Sequence, residues 1–328
     1  MSKVILVTGG AGYIGSHACK MLAQAGYTPV TLDNLSTGWR DAVKFGPFEE
    51  CDLLDGDRLD EVFKRHKPEA AMHFAAASYV GEASQNPGKY WRNNLVGSLN
   101  LVEAMNRYGV DKIVFSSTCA VYGHVDGVTV DEFCDTGPLN AYGASKLAIE
   151  ALLSNFGASH NLRSVIFRYF NVAGGDPECE IGEYHRPETH LIPLVLDAVA
   201  GRRSALTIYG TDYPTKDGTC VRDYVHVSDL IDAHILGLEA LFEGSSSGLY
   251  NLGSGSGFSV REVIDASRAV TRRPVPVVEG DRREGDAVSL VAGSTRASEQ
   301  LGWSPKRSTM NQMITDAWKW HQTEGYTG

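Results

Sequence analysis

The chain has no C-x-x-C pair, no apolar stretch approaching 18 residues and no excess of positive charge. Each lack removes a class of protein. The six cysteines, Cys19, Cys51, Cys119, Cys134, Cys179 and Cys220, are scattered. A chain of 328 residues does not need cross-links to hold its core, so they are expected as free thiols in a reducing, cytoplasmic compartment. Nothing is long and apolar enough to span a bilayer, so no membrane is expected. The four-residue apolar run after Met1-Ser2-Lys3 is too short for the core of a secretion signal. A formal net charge of −10 disfavours a binder of nucleic acid backbones, so no nucleic acid partner is expected. Arg202-Arg203, Arg272-Arg273 and Arg282-Arg283 lie apart and read as solvated surface, although one such pair can serve a diphosphate. No internal repeat or low-complexity tract interrupts the chain. What is present is 43% hydrophobic and 21% charged residues, a balance that builds a core and leaves room for one large domain or two.

The most informative stretch is Lys3 to Asp33. Val4-Ile5-Leu6-Val7 is an apolar run too short for a helix and reads as a buried strand. Thr8-Gly9-Gly10-Ala11-Gly12-Tyr13-Ile14-Gly15 follows, then an amphipathic run to Ala25 that stops at Gly26. A second strand, Thr28 to Leu32, ends in Asp33. Gly9 permits a tight turn, Gly12 lets backbone N–H groups approach a pyrophosphate, and Gly15 lets helix and strand pack closely. The positive end of the helix then faces the phosphates. Asp33 comes 18 residues after Gly15, close to the ~20 at which an acid meets a ribose hydroxyl. The glycines alone are weak; in this context they predict a dinucleotide site.

Strand and helix keep alternating. Phe48–Cys51, Ala70–Phe74, Lys112–Ser117 and Ser164–Tyr169 read as strands; Arg58–His66, Pro87–Tyr108 and Tyr142–Ser159 read as helices. Asp52-Leu53 and the small residues Ala75-Ala76-Ala77 follow strand ends, where open α/β sheets bind ligands. The fold expected is α/β: a doubly wound, mostly parallel Rossmann-type sheet over residues 1–170. A smaller mixed α/β substrate-binding region is expected over 171–328, with chain segments crossing between the two. There Leu191–Ala200, Ser228–Phe242, Val260–Thr271 and Met310–Gln322 read as helices, and Leu206–Tyr209 and Leu249–Leu252 as strands.

Tyr142-Gly143-Ala144-Ser145-Lys146 puts a phenol and an ammonium one helical turn apart, on one face. A free phenol titrates near ~10, and a cation within ~4–6 Å favours its phenolate by ~1–3 units. Tyr142 then becomes a candidate base near neutral pH. Thr118, at the end of the hydroxyl run Ser116-Ser117-Thr118, follows a strand end and is placed to join it.

These motifs, with Asp33-Asn34 and Asn93, resemble the extended short-chain dehydrogenase/reductase superfamily. Arg168-Tyr169-Phe170-Asn171, Val221-Arg222-Asp223-Tyr224-x-His226-Val227-x-Asp229-Leu230, Tyr250-Asn251-Leu252-Gly253 and Arg283-Glu284-Gly285-Asp286 narrow the resemblance to the UDP-glucose 4-epimerases. It runs from Lys3 to about Trp320. It implies an NAD-dependent interconversion of UDP-glucose and UDP-galactose by transient oxidation at sugar C4. Tyr142, Lys146 and Thr118 would be catalytic. NAD would lie against Gly9, Gly12, Tyr13, Ile14, Asp33, Asn34, Ser36, Thr37, Gly38, Asp52, Leu53, Phe74, Ala75, Ala76, Asn93, Ser116, Tyr142, Lys146 and Tyr169. The UDP-sugar would meet Thr118, Tyr142, Asn171, Leu191, Tyr209, Arg222, Arg283, Asp286 and Leu290. The guanidinium forks of Arg222 and Arg283 suit a diphosphate. The resemblance also implies a homodimer built on the two long helices.

Two positions depart from the family pattern. Ser78 stands where some members carry a lysine near the cofactor phosphates, and Leu290 stands where members differ in side-chain size and sugar range. Among rivals, a 4,6-dehydratase would carry Asp-Glu after the threonine; here Cys119-Ala120 follows Thr118. A non-enzymatic dinucleotide sensor has no need of the Tyr142–Lys146 pair. UDP-xylose and UDP-arabinose 4-epimerases share these motifs, and the pentose reading stays open. Glu178, Glu180, Glu183, His185, Glu188 and His190 could form a metal site, but Pro187 breaks any helical spacing among them and no metal is expected.

Overall fold

The structure is a computed structural model and describes residues 2–123, 125, 129–283 and 286–327. Glu284 and Gly285 of the last quoted motif lie outside the described residues.

Alternation within the strands sets the architecture. In Val4–Thr8, Ile5 and Val7 point to one face and Leu6 to the other, and all are fully buried. A strand that is apolar on both sides belongs in the middle of a covered parallel sheet. The sheet has seven strands in the order Gly248–Leu252, Arg163–Tyr169, Lys112–Ser116, Ala70–His73, Val4–Thr8, Thr28–Asp33, Phe48–Glu50. Every pairing is parallel. On one face Ile5, Val7 and Met72 pack with Ala18 and Leu22 of the helix Tyr13–Gln24, and with Leu230, Leu238 and Leu241 of the helix Val227–Phe242. On the other, Leu6, Leu32 and Phe115 pack with Leu59 and Phe63 of Gly56–His66, Leu101 and Met105 of Gly97–Arg107, and Ile149 and Leu153 of Ala141–His160. This is the doubly wound fold expected from the alternation.

Strand order reverses between Val4–Thr8 and Ala70–His73, and ligands of such sheets sit at that switch. Across it, the run from Pro87 to Tyr108 is not a uniform helix. Pro87–Tyr90 is followed by a π-helical stretch, Trp91–Val96, before Gly97–Arg107 resumes. Such wide turns are often found at functional sites. Here the stretch turns Asn94 inward, where its amide bonds both the backbone of Ala77 and the hydroxyl of Ser145. Asn140 caps the helix that carries Tyr142 by accepting from the Gly143 N–H at 3.0 Å.

A second sheet joins Gly257–Ser259, Val221–His226, Ser289–Ala292 and Thr129–Val130, with Asn171–Ala173 also paired to Val221–His226. A third pairs Leu206–Tyr209 with Val277–Gly280. Three segments cross residue 170. Thr129–Val130 joins the second sheet, while Val227–Phe242 and Gly248–Leu252 return to the first.

Candidate active site

Gly9 and Gly15 shape the loop after the first strand. Gly9 holds φ +71°, and a Cβ there would stand 2.6 Å from the Ala75 amide nitrogen. A Cβ on Gly15 would stand 2.1 Å from the Gly9 carbonyl oxygen. The loop therefore folds under the helix Tyr13–Gln24, whose Gly12 cap offers no side chain to the first N–H groups. Those donors and the helix dipole remain for an anion. Asp33 is buried at the end of its strand. It accepts from the N–H groups of Ala11 at 3.0 Å and Leu35 at 2.8 Å. Burial raises its carboxyl above the usual range and these donors hold it back. Beside it, the Asn34 amide donates to Asp52 at 2.9 Å. The cradle fits a dinucleotide: a glycine-rich turn, open helix donors and an acid at the next strand end.

The cleft at the switch point has a volume of about 520 Å³. Its wall includes Gly9, Gly12, Tyr13, Ile14, Asp33, Asn34, Ser36, Thr37, Gly38, Asp52, Leu53, Phe74, Ala75, Ala76, Asn93, Thr118, Tyr142, Lys146, Tyr169 and Asn171. Ser116 lies below this wall. It is buried, its carbonyl accepts from Lys146 Nζ at 2.7 Å, and its hydroxyl meets His234 at 3.1 Å.

The Tyr142–Lys146 pair departs from the sequence expectation. Burial is the dominant influence on both. It raises the Tyr142 phenol well above its ordinary value, and a hydrogen bond with Thr118 pulls only partly the other way. It lowers the Lys146 ammonium to about 7, against the favourable charge of Glu150. Lys146 Nζ lies 4.8 Å from the centre of the Phe115 ring. The protein alone therefore keeps the phenol protonated, because an apolar wall disfavours either charge by itself. A phenolate and an ammonium created together restore each other, and a cationic ring beside them adds to the effect.

Six of the proposed substrate residues, Leu191, Tyr209, Arg222, Arg283, Asp286 and Leu290, are not in this wall. Arg222 donates to the carbonyls of Val221 and Ala287, both at 2.8 Å, and to Asp286 at 3.2 Å. Leu290 is its partner in the parallel register and packs on Val121, Tyr122 and Phe170. The Arg283 guanidinium lies 4.0 Å over the Tyr209 ring. Leu191 opens the helix Leu191–Val199. The two groups of residues are linked: Asn171 in the wall donates to the Asp223 carbonyl at 2.9 Å, and the charge of Arg222 is felt at Cys119, also in the wall.

The sequence assigned no site role to Tyr79, Lys89 and Phe170 and did not place Glu183, His185 and His190 beside the cofactor, yet all line the cleft. Lys89 is tied to Glu82 at 2.7 Å. The spacing argument against a cluster around Pro187 does not hold. A loop, with no helix, brings Glu183, His185, Glu188 and His190 together. Burial opposes protonation of both histidines, but the two carboxylates outweigh it and raise them to about 9 and about 10. Periodicity carries no signal for such a loop.

Parallel sheet, glycine cradle, strand-end acid and a Tyr–Lys pair in one cleft define a nicotinamide-dinucleotide enzyme of the α/β class. The profile of the NAD dependent epimerase/dehydratase family matches residues 5–253. The chain is 49% identical over 324 residues to a UDP-glucose 4-epimerase of Rhizobium meliloti, covering 99% of this chain and 98% of that one. The crystal structure of UDP-glucose 4-epimerase from Brucella ovis in complex with NAD superposes with a TM-score of 0.95 at 45% identity, covering 97% and 98%. That of the Bifidobacterium longum enzyme with NAD+ and UDP gives 0.90 at 33% identity, again covering 97% and 98%. The chain belongs to the NAD dependent epimerase/dehydratase family.

Proposed function

We propose that the chain interconverts UDP-glucose and UDP-galactose, with NAD as a cofactor regenerated in each cycle. The observation that carries this reading is the meeting of Thr118, Tyr142 and Lys146 in the wall of the dinucleotide cleft. NAD, when bound, supplies a reversible hydride acceptor for sugar C4. Its pyrophosphate would rest on the Gly9–Gly15 turn and its adenosine ribose on Asp33. Tyr142 takes the proton of the 4-hydroxyl and returns it; Thr118 holds that oxygen; Lys146 balances the phenolate and would hold the nicotinamide ribose. Arg222 and Arg283 take the diphosphate, with Asn171, Leu191, Tyr209 and Asp286 around the nucleotide. Purified protein incubated with UDP-glucose should yield UDP-galactose without net NADH. One NADH formed per sugar would make it a dehydrogenase, and turnover confined to UDP-xylose would move the substrate class to pentoses.

Leu290 packs against Phe170, itself a wall residue, which supports its place as a limit on sugar size. It is shorter than a tyrosine and larger than a serine. Fitting an acetamido group against it costs ~1–3 kcal/mol of overpacking, roughly 5- to 150-fold in rate. Leu290→Ser should raise the ratio of UDP-N-acetylhexosamine to UDP-hexose turnover within that range. An unchanged ratio in competition assays removes this position as the gate.

A homodimer is part of the reading. Trp91 and Val96 are 40% and 42% exposed on the Pro87–Tyr108 run, apolar area that a partner copy would cover. Light scattering should give twice the chain mass, and a monomer at assay concentration counts against it. Six unpaired cysteines fit a cytoplasmic setting.

A further inference from the structure

The loop between Asn171–Ala173 and the helix Leu191–Val199 carries Glu183, His185, Glu188 and His190, whose ligand atoms all lie within 4.8 Å of one another. His185 Nδ1 is 3.4 Å from Glu183 Oε1 and 3.3 Å from Glu188 Oε2. His190 Nδ1 is 3.0 Å from Glu183 Oε1 and 2.9 Å from Glu188 Oε1. Ligands held ~2.0–2.2 Å from zinc in a tetrahedron stand about 3.3–3.6 Å from each other. The His185 contacts meet that edge, and the His190 contacts fall within about 0.4 Å of it.

We propose that this loop binds one divalent transition-metal ion, with zinc favoured by the two imidazoles and two carboxylates. Each Nδ1 carries at most one hydrogen, yet each faces two carboxylate oxygens. Hydrogen bonding satisfies one of each pair, whereas a cation at the shared focus takes one ligand atom from each of the four side chains. The ligands are also oriented from behind. Glu188 Oε1 accepts from the N–H groups of Thr189 at 2.7 Å and His190 at 2.8 Å. Trp320 Nε1 donates to the Glu183 carbonyl at 2.9 Å, and Trp39 Nε1 to that of Tyr184 at 2.8 Å. The first two bonds orient the Glu188 carboxylate, as supports behind metal ligands do, and the two tryptophans hold the loop backbone in place. The carboxylates are only 7% and 12% exposed, so their charge must be neutralised where they stand. A dication with two neutral imidazoles does this, and so do two imidazolium ions; that is the rival arrangement.

Four protein ligands fill a tetrahedral ion, which makes the site structural. It closes the loop against the cleft, where His185 sits edge-on to Tyr13 and Tyr79 at 6.4 and 6.5 Å. Metal binding does not depend on which sugar the enzyme takes.

The test is metal content by plasma mass spectrometry of full-length protein purified without chelator. After EDTA treatment, the protein is titrated with Zn²⁺ by calorimetry and with Co²⁺ by visible absorption. One ion per chain and Co²⁺ bands of tetrahedral strength are expected. Glu188→Gln keeps the side-chain shape and should weaken Zn²⁺ binding by about a hundredfold, while metal-free unfolding stays near that of the unaltered protein. Failure of the unaltered protein to bind one Zn²⁺, an octahedral Co²⁺ spectrum, or binding by Glu188→Gln and His185→Ala as tight as that of the unaltered protein overturns the site.

Discussion

Tyr142→Phe should lower kcat/KM by about 10²–10⁴-fold, the usual worth of a positioned acid–base group. The substitution removes one oxygen from a side chain whose ring stays in place. The hydroxyl's partner within the protein is Thr118, and losing one such bond costs only about 1 kcal/mol of stability. Folding and NAD content should therefore be retained. The pKa directions strengthen this expectation. Burial holds the phenol protonated and brings Lys146 down to about 7, so charge separation at this pair is unfavourable until substrate and cofactor complete the site. With phenylalanine, Lys146 has no phenolate to balance and the 4-hydroxyl no acceptor. Steady-state kinetics with NAD content measured in parallel will decide it. Near-normal turnover with full cofactor would remove Tyr142 from the proton transfer.

The sequence carried the dinucleotide half of the site because that half is built from local rules. Val4–Val7 is apolar throughout, Gly9 and Gly15 of the following turn fall where a Cβ would collide, and Asp33 closes the next strand; each of these can be read within about thirty residues of chain. The second sheet was far less legible. Thr129–Val130 is a two-residue strand, and Val221–His226 sets Arg222 and Asp223 side by side, with neither an alternating pattern nor an apolar run to announce it. Arg222, Asp286 and Leu290 come together only through the parallel register of two strands distant in sequence. The family resemblance named them; periodicity alone gave no reason to join them. The π-helical Trp91–Val96 stretch was equally hidden, because its apolar stripe continues smoothly into the α-helix that follows. For Tyr142 and Lys146 the sequence supplied their shared face but not their burial, and burial reverses the expected direction of the phenol's shift in the protein alone.

Glu150→Ala should cost about 3–5 kcal/mol of stability, the usual penalty for leaving one member of a buried ion pair uncompensated. Glu150 lies one turn beyond Lys146 on the same helix. Arg168 donates to it through Nη2 at 2.6 Å and Nε at 3.0 Å, with side chains only 6% and 9% exposed. The Ser117 hydroxyl donates to the same carboxylate. Burial works against the Arg168 charge, but the carboxylate more than offsets it and holds the guanidinium above its ordinary range. Removing Glu150 strands that charge and frees Ser117, the residue before Thr118. It also removes an anion that favours protonated Lys146, so the ammonium should titrate lower still and less of it survive at pH 7. Loss of stability and loss of kcat should thus appear together. Replacing both partners separates them: Glu150→Leu with Arg168→Met leaves no stranded charge and should regain most of the stability. The double variant still lacks an anion near Lys146, so its activity should stay below that of the unaltered enzyme at pH 7. Urea unfolding of the three proteins measures the first effect and initial rates the second. If Glu150→Ala unfolds within about 0.5 kcal/mol of the unaltered protein, the pair is not the buried support under the catalytic helix that its geometry describes.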